Sequence, residues 1–232
     1  MKSHLTLVTA LSLLLAAIQA APPLVAQESG VDDLVKKLKG QAGQSGGLTT
    51  RGIKTRGFTP GGGAAPAATT ETRSVVLSRG IPTSVKAAAE EDNVALKPSA
   101  SGGAAVELSY DVDPQSEVSK DNIFFRKGTA DFANDSSVAE VVTLADALKH
   151  PELKGLKYVI EGHASSEGND FANQSLSQER AERIVSVLTS LGVEQTRLVP
   201  VGFGESKSRF PEGSEESLLK QDRRVLIFRL EK

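Results

Sequence analysis

Tyr158-Val159-Ile160-Glu161-Gly162-His163-Ala164-Ser165 is the stretch that decides how this chain folds. Its first five residues, rich in β-branched and aromatic types, read as a strand that ends on a glycine. A polar loop follows through Ser166, Glu167, Gly168, Asn169 and Asp170. Beyond it, Leu176, Ala181, Ile184, Val185, Leu188 and Leu191 fall on one helical face, and Gly192 stops them. A strand handing over to an amphipathic helix is the unit of a sheet covered by helices.

The flanks repeat the unit. Upstream, Val138, Val141, Val142, Ala145 and Leu148 form an earlier helical stripe, started near Asp135-Ser136 and ended by His150-Pro151. Before it, Asn122-Ile123-Phe124-Phe125 reads as a strand closed by Arg126-Lys127-Gly128. Downstream, Leu198-Val199-Pro200-Val201-Gly202-Phe203-Gly204 is a strand whose proline marks it as edge-like. Val225 to Arg229 is the last strand, after a polar loop over 205–222. The order βαβαββ predicts an α+β two-layer sandwich, with helices on one face of a four-stranded mixed sheet.

Composition sets the domain boundary. Nine of the ten aromatic residues lie at Tyr110 or later, and Phe58 is the exception. Twelve of the 21 glycines fall between Gly40 and Gly103. Residues 27–103 hold ten Lys/Arg against seven Asp/Glu, whereas 104–232 hold sixteen against 22. Large apolar groups are what offset chain entropy, so the folded domain is expected at 106–232. A disordered Gly/Ala/Pro-rich linker is expected over 27–105.

The N-terminus reads as an export signal over 1–26. Met1-Lys2-Ser3-His4 precedes an apolar run from Leu5 to Ala17, and small residues follow up to Ala26. That run of 13 residues is shorter than the ~20 a spanning helix needs. Cleavage is placed after Ala26, with Ala20 as the alternative.

Within the linker, Val31, Leu34, Val35 and Leu38 recur at helical spacing, which predicts a short amphipathic helix at 31–39 stopped by Gly40. It is either a docking peptide for a membrane or protein partner, or a fraying solvated helix, since two to three turns are marginal alone. The triplets Arg51-Gly52-Ile53, Arg56-Gly57-Phe58 and Arg79-Gly80-Ile81 are either short binding elements or spacer. Ser74-Val75-Val76-Leu77, if it pairs, does so as an edge strand. A coil of ~65 residues would span roughly 45 Å, the scale of a tether.

Several functions are excluded by composition. Without cysteine there is no disulfide, thiolate metal site, cysteine nucleophile or lipid-modified N-terminal cysteine. Three histidines (His4, His150, His163) are too few for most metal sites, so neither metal nor other cofactor is expected. A net charge of −2 argues against nucleic acid as partner. Ala164-Ser165-Ser166-Glu167-Gly168 is a relaxed nucleophile elbow between strand and helix. That chemistry needs a histidine downstream, yet His163 is the last in the chain, so no catalytic residue is assigned.

Residues 106–232 resemble the OmpA-like C-terminal domain family. The resemblance rests on ordered blocks: Ile123-Phe124-Phe125 with Gly128-Thr129-Ala130; Glu161-Gly162-His163-Ala164; Gly168; Asn173; Leu176-Ser177 with Glu179-Arg180-Ala181; Gly202-Phe203-Gly204-Glu205; and Asp222-Arg223-Arg224-Val225. It implies an exported periplasmic protein, associated with the cell wall or outer membrane, that binds peptidoglycan without covalent attachment through the diaminopimelate of its stem peptide. An envelope protein partner of the linker is a further expectation.

The ligand-contact set it implies is Gly162, His163, Ser165, Glu167, Asp170, Asn173, Leu176 and Arg180. Arg180 matches the family's arginine, whose guanidinium can hold a carboxylate bidentately; the alternative is a helix-surface arginine paired with an acid. The family's acidic residue falls on Ser165, so the chain departs from the pattern at the ligand contact. Glu167 and Asp170 are the candidate substitutes. His163 reads as a loop residue rather than a ligand group, and Asn173 as a loop cap or brace. Asp222, Arg223 and Arg224 read as bracing the last strand, with Arg224 bordering the groove. Loss of the acid also supports a second reading, a docking module that no longer binds peptidoglycan.

Overall fold

Alternation along the strands divides their side chains between two faces, and each face has its own cover. In the computed structural model, residues 24–40, 70–77, 85–86, 94–99 and 105–231 are described. Of the export signal read over 1–26, residues 1–23 lie outside them, as do all three Arg-Gly triplets. Strands β3 (Val106–Lys120), β4 (Tyr158–Gly162), β5 (Leu198–Gly202) and β6 (Val225–Leu230) form the central sheet in the order β3-β6-β4-β5. β4 and β5 run parallel; the other pairings are antiparallel. Helices α2 (Asp135–Leu148) and α3 (Asp170–Ser190) pack on one face, burying Leu144, Leu148, Ile184 and Leu188 against Tyr158, Ile160 and Ile227. This is the expected α+β layer, with Pro200 on the expected edge strand β5. The loop read over 205–222 contains a further short helix, α4 (Glu216–Asp222).

The first strand differs from the expectation. Residues 122–125 are not a strand; they leave β3 in a turn and contribute only an isolated bridge between Phe125 and Phe132. The strand is Val106–Lys120, whose acids and Pro114 conceal it in the sequence. Leu108, Tyr110, Val112 and Val118 point inward at alternate positions, and the pairing with β6 shifts register between Asp113 and Val118. A bulge is where a strand tolerates proline.

The second sheet face was not expected to have a cover. Val159, Val199, Val201, Leu226 and Phe228 project from it, and that much apolar surface is unfavourable in water. Strands β1 (Glu71–Leu77) and β2 (Ala95–Pro98), both inside the stretch read as linker, close it. Each pairs antiparallel with the first half of β3: Ser74 and Ala95 both align with Ser109. Val75, Leu77, Val85 and Val94 are buried there beside Leu108 and Tyr110.

The amphipathic helix likewise docks on its own domain, so neither reading from sequence holds. α1 (Leu24–Leu38) buries Val35 and Leu38 in the helix-side core, with Val31 and Leu34 packed alongside. Its C-terminal carbonyls, which lack intrahelical partners, are taken from outside. Tyr158 Oη donates to Leu38 O at 3.4 Å and Arg229 donates to Lys39 O. Lys39 Nζ reaches Glu152 at 2.8 Å. Gly40 then turns at φ +78°, against Asp113, where a Cβ would overlap that carboxylate. Arg197 secures the end of α2 by donating to the carbonyls of Leu148, Leu153 and Leu156 at 2.8–3.0 Å.

Candidate functional site

The loop leaving β4 is held by a close approach of backbones. A Cβ on Gly162 would overlap the Ser177 carbonyl, so β4 lies directly against α3. Asn169 caps α3, its side chain accepting from Ala172 N at 3.1 Å, and Asp170 puts an acid in the first turn. Arg180 follows from this seating. Its side chain lies across a cleft of about 410 Å³ between the end of β4, residues 123–125, α4 and the start of β6.

Arg180 is only 9% exposed, and its Nε donates to Thr129 O at 3.1 Å. The guanidinium stands 5.1 Å from the Phe125 ring centre. Burial, then the neighbouring Arg223, favours loss of its charge and lowers its pKa. Opposite, Lys220 Nζ lies 4.4 Å from the Phe124 ring centre. Arg223 Nη1 donates to Ser165 Oγ at 3.4 Å, pairs with Glu216, and sits 3.7 Å from Glu167 Oε2. Arg224 borders the cleft and pairs at 3.5 Å with Asp222, a fully buried carboxylate that also accepts from Arg209 N and Phe210 N.

Beneath the cleft runs a buried polar network. Glu161, 0% exposed, accepts from Tyr110 Oη at 2.7 Å and lies 3.0 Å from Arg73 Nε. Arg73 comes from β1 and stacks over Phe228 at 4.3 Å. The other carboxylate oxygen is 3.2 Å from His163 Nε2. His163 stacks on Phe203 with ring centres 5.1 Å apart, and its Nδ1 has no partner among the described residues. Burial lowers its pKa below the ordinary 6.5, against the opposing pull of Glu161.

A family model supplies the identification: residues 124–220 match the OmpA family. This domain belongs to the OmpA family. The chain is 39% identical over 72 residues to the outer membrane porin F of Pseudomonas fluorescens, covering 31% of this chain and 22% of the relative. It is 36% identical over 72 residues to the peptidoglycan-associated lipoprotein of Buchnera aphidicola, covering 31% and 42%. It therefore spans under half the length of these relatives. A crystal structure of the Burkholderia pseudomallei peptidoglycan-associated lipoprotein aligns at 27% identity and a TM-score of 0.41, covering 50% of this chain and 93% of that one.

Within the OmpA-family domain, three of the eight expected residues line the cleft: Gly162, His163 and Arg180. Ser165 and Glu167 meet it through Arg223. Asn173 is a brace, donating to Ser165 O at 3.3 Å, Glu167 O at 2.8 Å and Glu205 at 2.6 Å. Asp170 is turned away. It bonds Glu205, whose pKa is raised by burial and by that neighbour, in a separate hollow beside Phe171 and Val76. Leu176 is half-buried and outside the cleft lining. Arg180 is not a helix-surface arginine, because it is buried and, among the described residues, enters no ion pair. Neither serine of the elbow has an imidazole partner among the described residues: Ser165 Oγ faces Arg223, and Ser166 Oγ donates to Phe210 O at 2.6 Å.

Sequence reasoning missed Lys220, Phe124 and Phe125 as site residues, and placed Arg223 as a brace. Lys220 sat in a segment read as loop. The adjacent phenylalanines read as strand because their period was taken from hydrophobicity alone.

Proposed function

We propose that this chain is a cell-envelope protein whose OmpA-family domain binds peptidoglycan non-covalently through the diaminopimelate of the stem peptide. The observation that carries the reading is Arg180. It is a buried guanidinium without a carboxylate partner among the described residues, at the position where the resemblance puts carboxylate recognition. A buried cation left open to a cleft is costly unless a ligand completes it. The name of the Buchnera relative supports the same ligand. Export to the periplasm and a protein partner of residues 41–69 belong to this proposal. Of the two cleavage sites, Ala20 leaves α1 whole.

The test is sedimentation of the full chain with purified sacculi. Wild type should pellet, and Arg180→Gln, with its far-UV circular dichroism unchanged, should not. Equal pelleting of the folded variant removes Arg180 from the site. The docking-module reading has one observation in its favour, the engagement of Ser165 by Arg223. It takes over if wild type stays in the supernatant.

A further inference from the structure

Four cations edge the cleft, but they are not equivalent. Arg224 is engaged by Asp222, and Arg223 by Glu216, Glu167 and the Ser165 hydroxyl. Among the described residues, Arg180 and Lys220 enter no ion pair. Each is backed by an aromatic ring, Arg180 by Phe125 and Lys220 by Phe124. A ring face attracts a cation without neutralising it, so both charges stay available to a ligand. The two rings are consecutive in sequence, so the free cations flank one short segment of the cleft wall.

Anions are distributed in the opposite way. Among the described residues Glu216 is the one carboxylate in the cleft lining, and Arg223 occupies it. Glu167 also faces Arg223, while Asp170 is bonded to Glu205 in the other hollow. An entering carboxylate therefore meets two unneutralised cations. An entering ammonium meets no free anion among the described residues and would lose hydration without compensation.

We infer that this cleft selects its peptide by two carboxylates and does not require an ammonium group. The inference rests on the peptidoglycan reading and specifies what that site recognises. A ligand side chain carrying both groups is held by its carboxylate, with its amine directed to water.

The test measures binding of the full chain, by calorimetry, to three soluble peptides. One is L-alanyl-γ-D-glutamyl-meso-diaminopimelate, the second has its free side-chain amine acetylated, and the third has the side-chain carboxyl amidated. Acetylation should change Kd by less than about twofold, and amidation should weaken binding about tenfold or more, as loss of a charged hydrogen-bond acceptor does. Lys220→Gln should weaken the first two peptides alike, by about three- to tenfold. A tenfold loss on acetylation overturns the inference, as does a Lys220→Gln variant that binds like wild type. If sacculi pellet the chain but none of the peptides binds, the inference fails and the peptidoglycan reading stands. If sacculi do not pellet it either, both fail.

Discussion

Arg73→Gln should destabilise the domain by about 3 kcal/mol, although Arg73 lies in a stretch that reads as linker. The magnitude follows from its partner. Glu161 is fully buried, and Arg73, 3.0 Å away and itself mostly buried, is the cation beside it. Removing one member of a buried pair typically costs about 3–5 kcal/mol, because the other charge is orphaned. Loss of the stack on Phe228 adds about 0.5–1 kcal/mol. Two contacts moderate the loss: the Tyr110 hydroxyl remains, and His163 can take up a proton beside the carboxylate. The lower end of the range therefore applies, a large part of the ~5–15 kcal/mol that holds a typical domain. The chain has no tryptophan, so urea unfolding is followed by far-UV circular dichroism. Arg73→Gln with Glu161→Gln removes the orphaned charge and should recover about 2 kcal/mol relative to Arg73→Gln alone. In the single variant the His163 pKa, read by NMR titration, should rise, because a cation that opposes its protonation is gone. A loss below about 1 kcal/mol, or a double variant no more stable than the single, would refute this account of the pair.

Acidification should destabilise the wild type through His163. Its folded pKa lies below 6.5, so between the two values the unfolded chain holds more protons, and stability falls as pH drops from about 6.5, by at most about 1.4 kcal/mol per pH unit. His163→Gln should lack that component in paired urea titrations at pH 7 and 5.5, and an identical slope removes His163 as its source. Gly162→Ala should lower Tm by several degrees and loosen the cleft, since the added methyl meets the Ser177 carbonyl and β4 and α3 must part; an unchanged Tm would mean the backbones yield freely. Arg197→Met keeps the buried stem but leaves three carbonyls without their donor, an expected loss of about 2–4 kcal/mol by chemical unfolding. A loss under about 1 kcal/mol would mean water replaces the guanidinium.

The sequence revealed what repeats with a clear period and concealed what depends on distant partners. Both long helices and strands β4 to β6 were legible because Ile160, Ile184 and Ile227 keep their periods over several residues. β3 was not, because Pro114 and its acids are tolerated only by a bulge and by β6 alongside. β1 and the seat of α1 were hidden for the same reason. Leu38 read as part of a short amphipathic helix and Val75 as part of a conditional edge strand, but the apolar faces that cover them lie elsewhere in the chain. In the site, the family blocks located Arg180 and the departure at Ser165. They did not show that Arg223 occupies Ser165, or that Asp170 turns away to Glu205, because both depend on side chains brought in by α4 and by the loop after β5.

Gly40 abuts Asp113 and Glu71 pairs with Val112, so the chain leaves and rejoins the domain at adjoining residues of β3. Both points are thereby fixed to one strand, and β3 bears load that arrives at either. A pull on α1 is carried first by the grip of Arg229 on Lys39 and by the Lys39–Glu152 pair. Under tension the docked helix therefore acts as a latch on the domain that it covers.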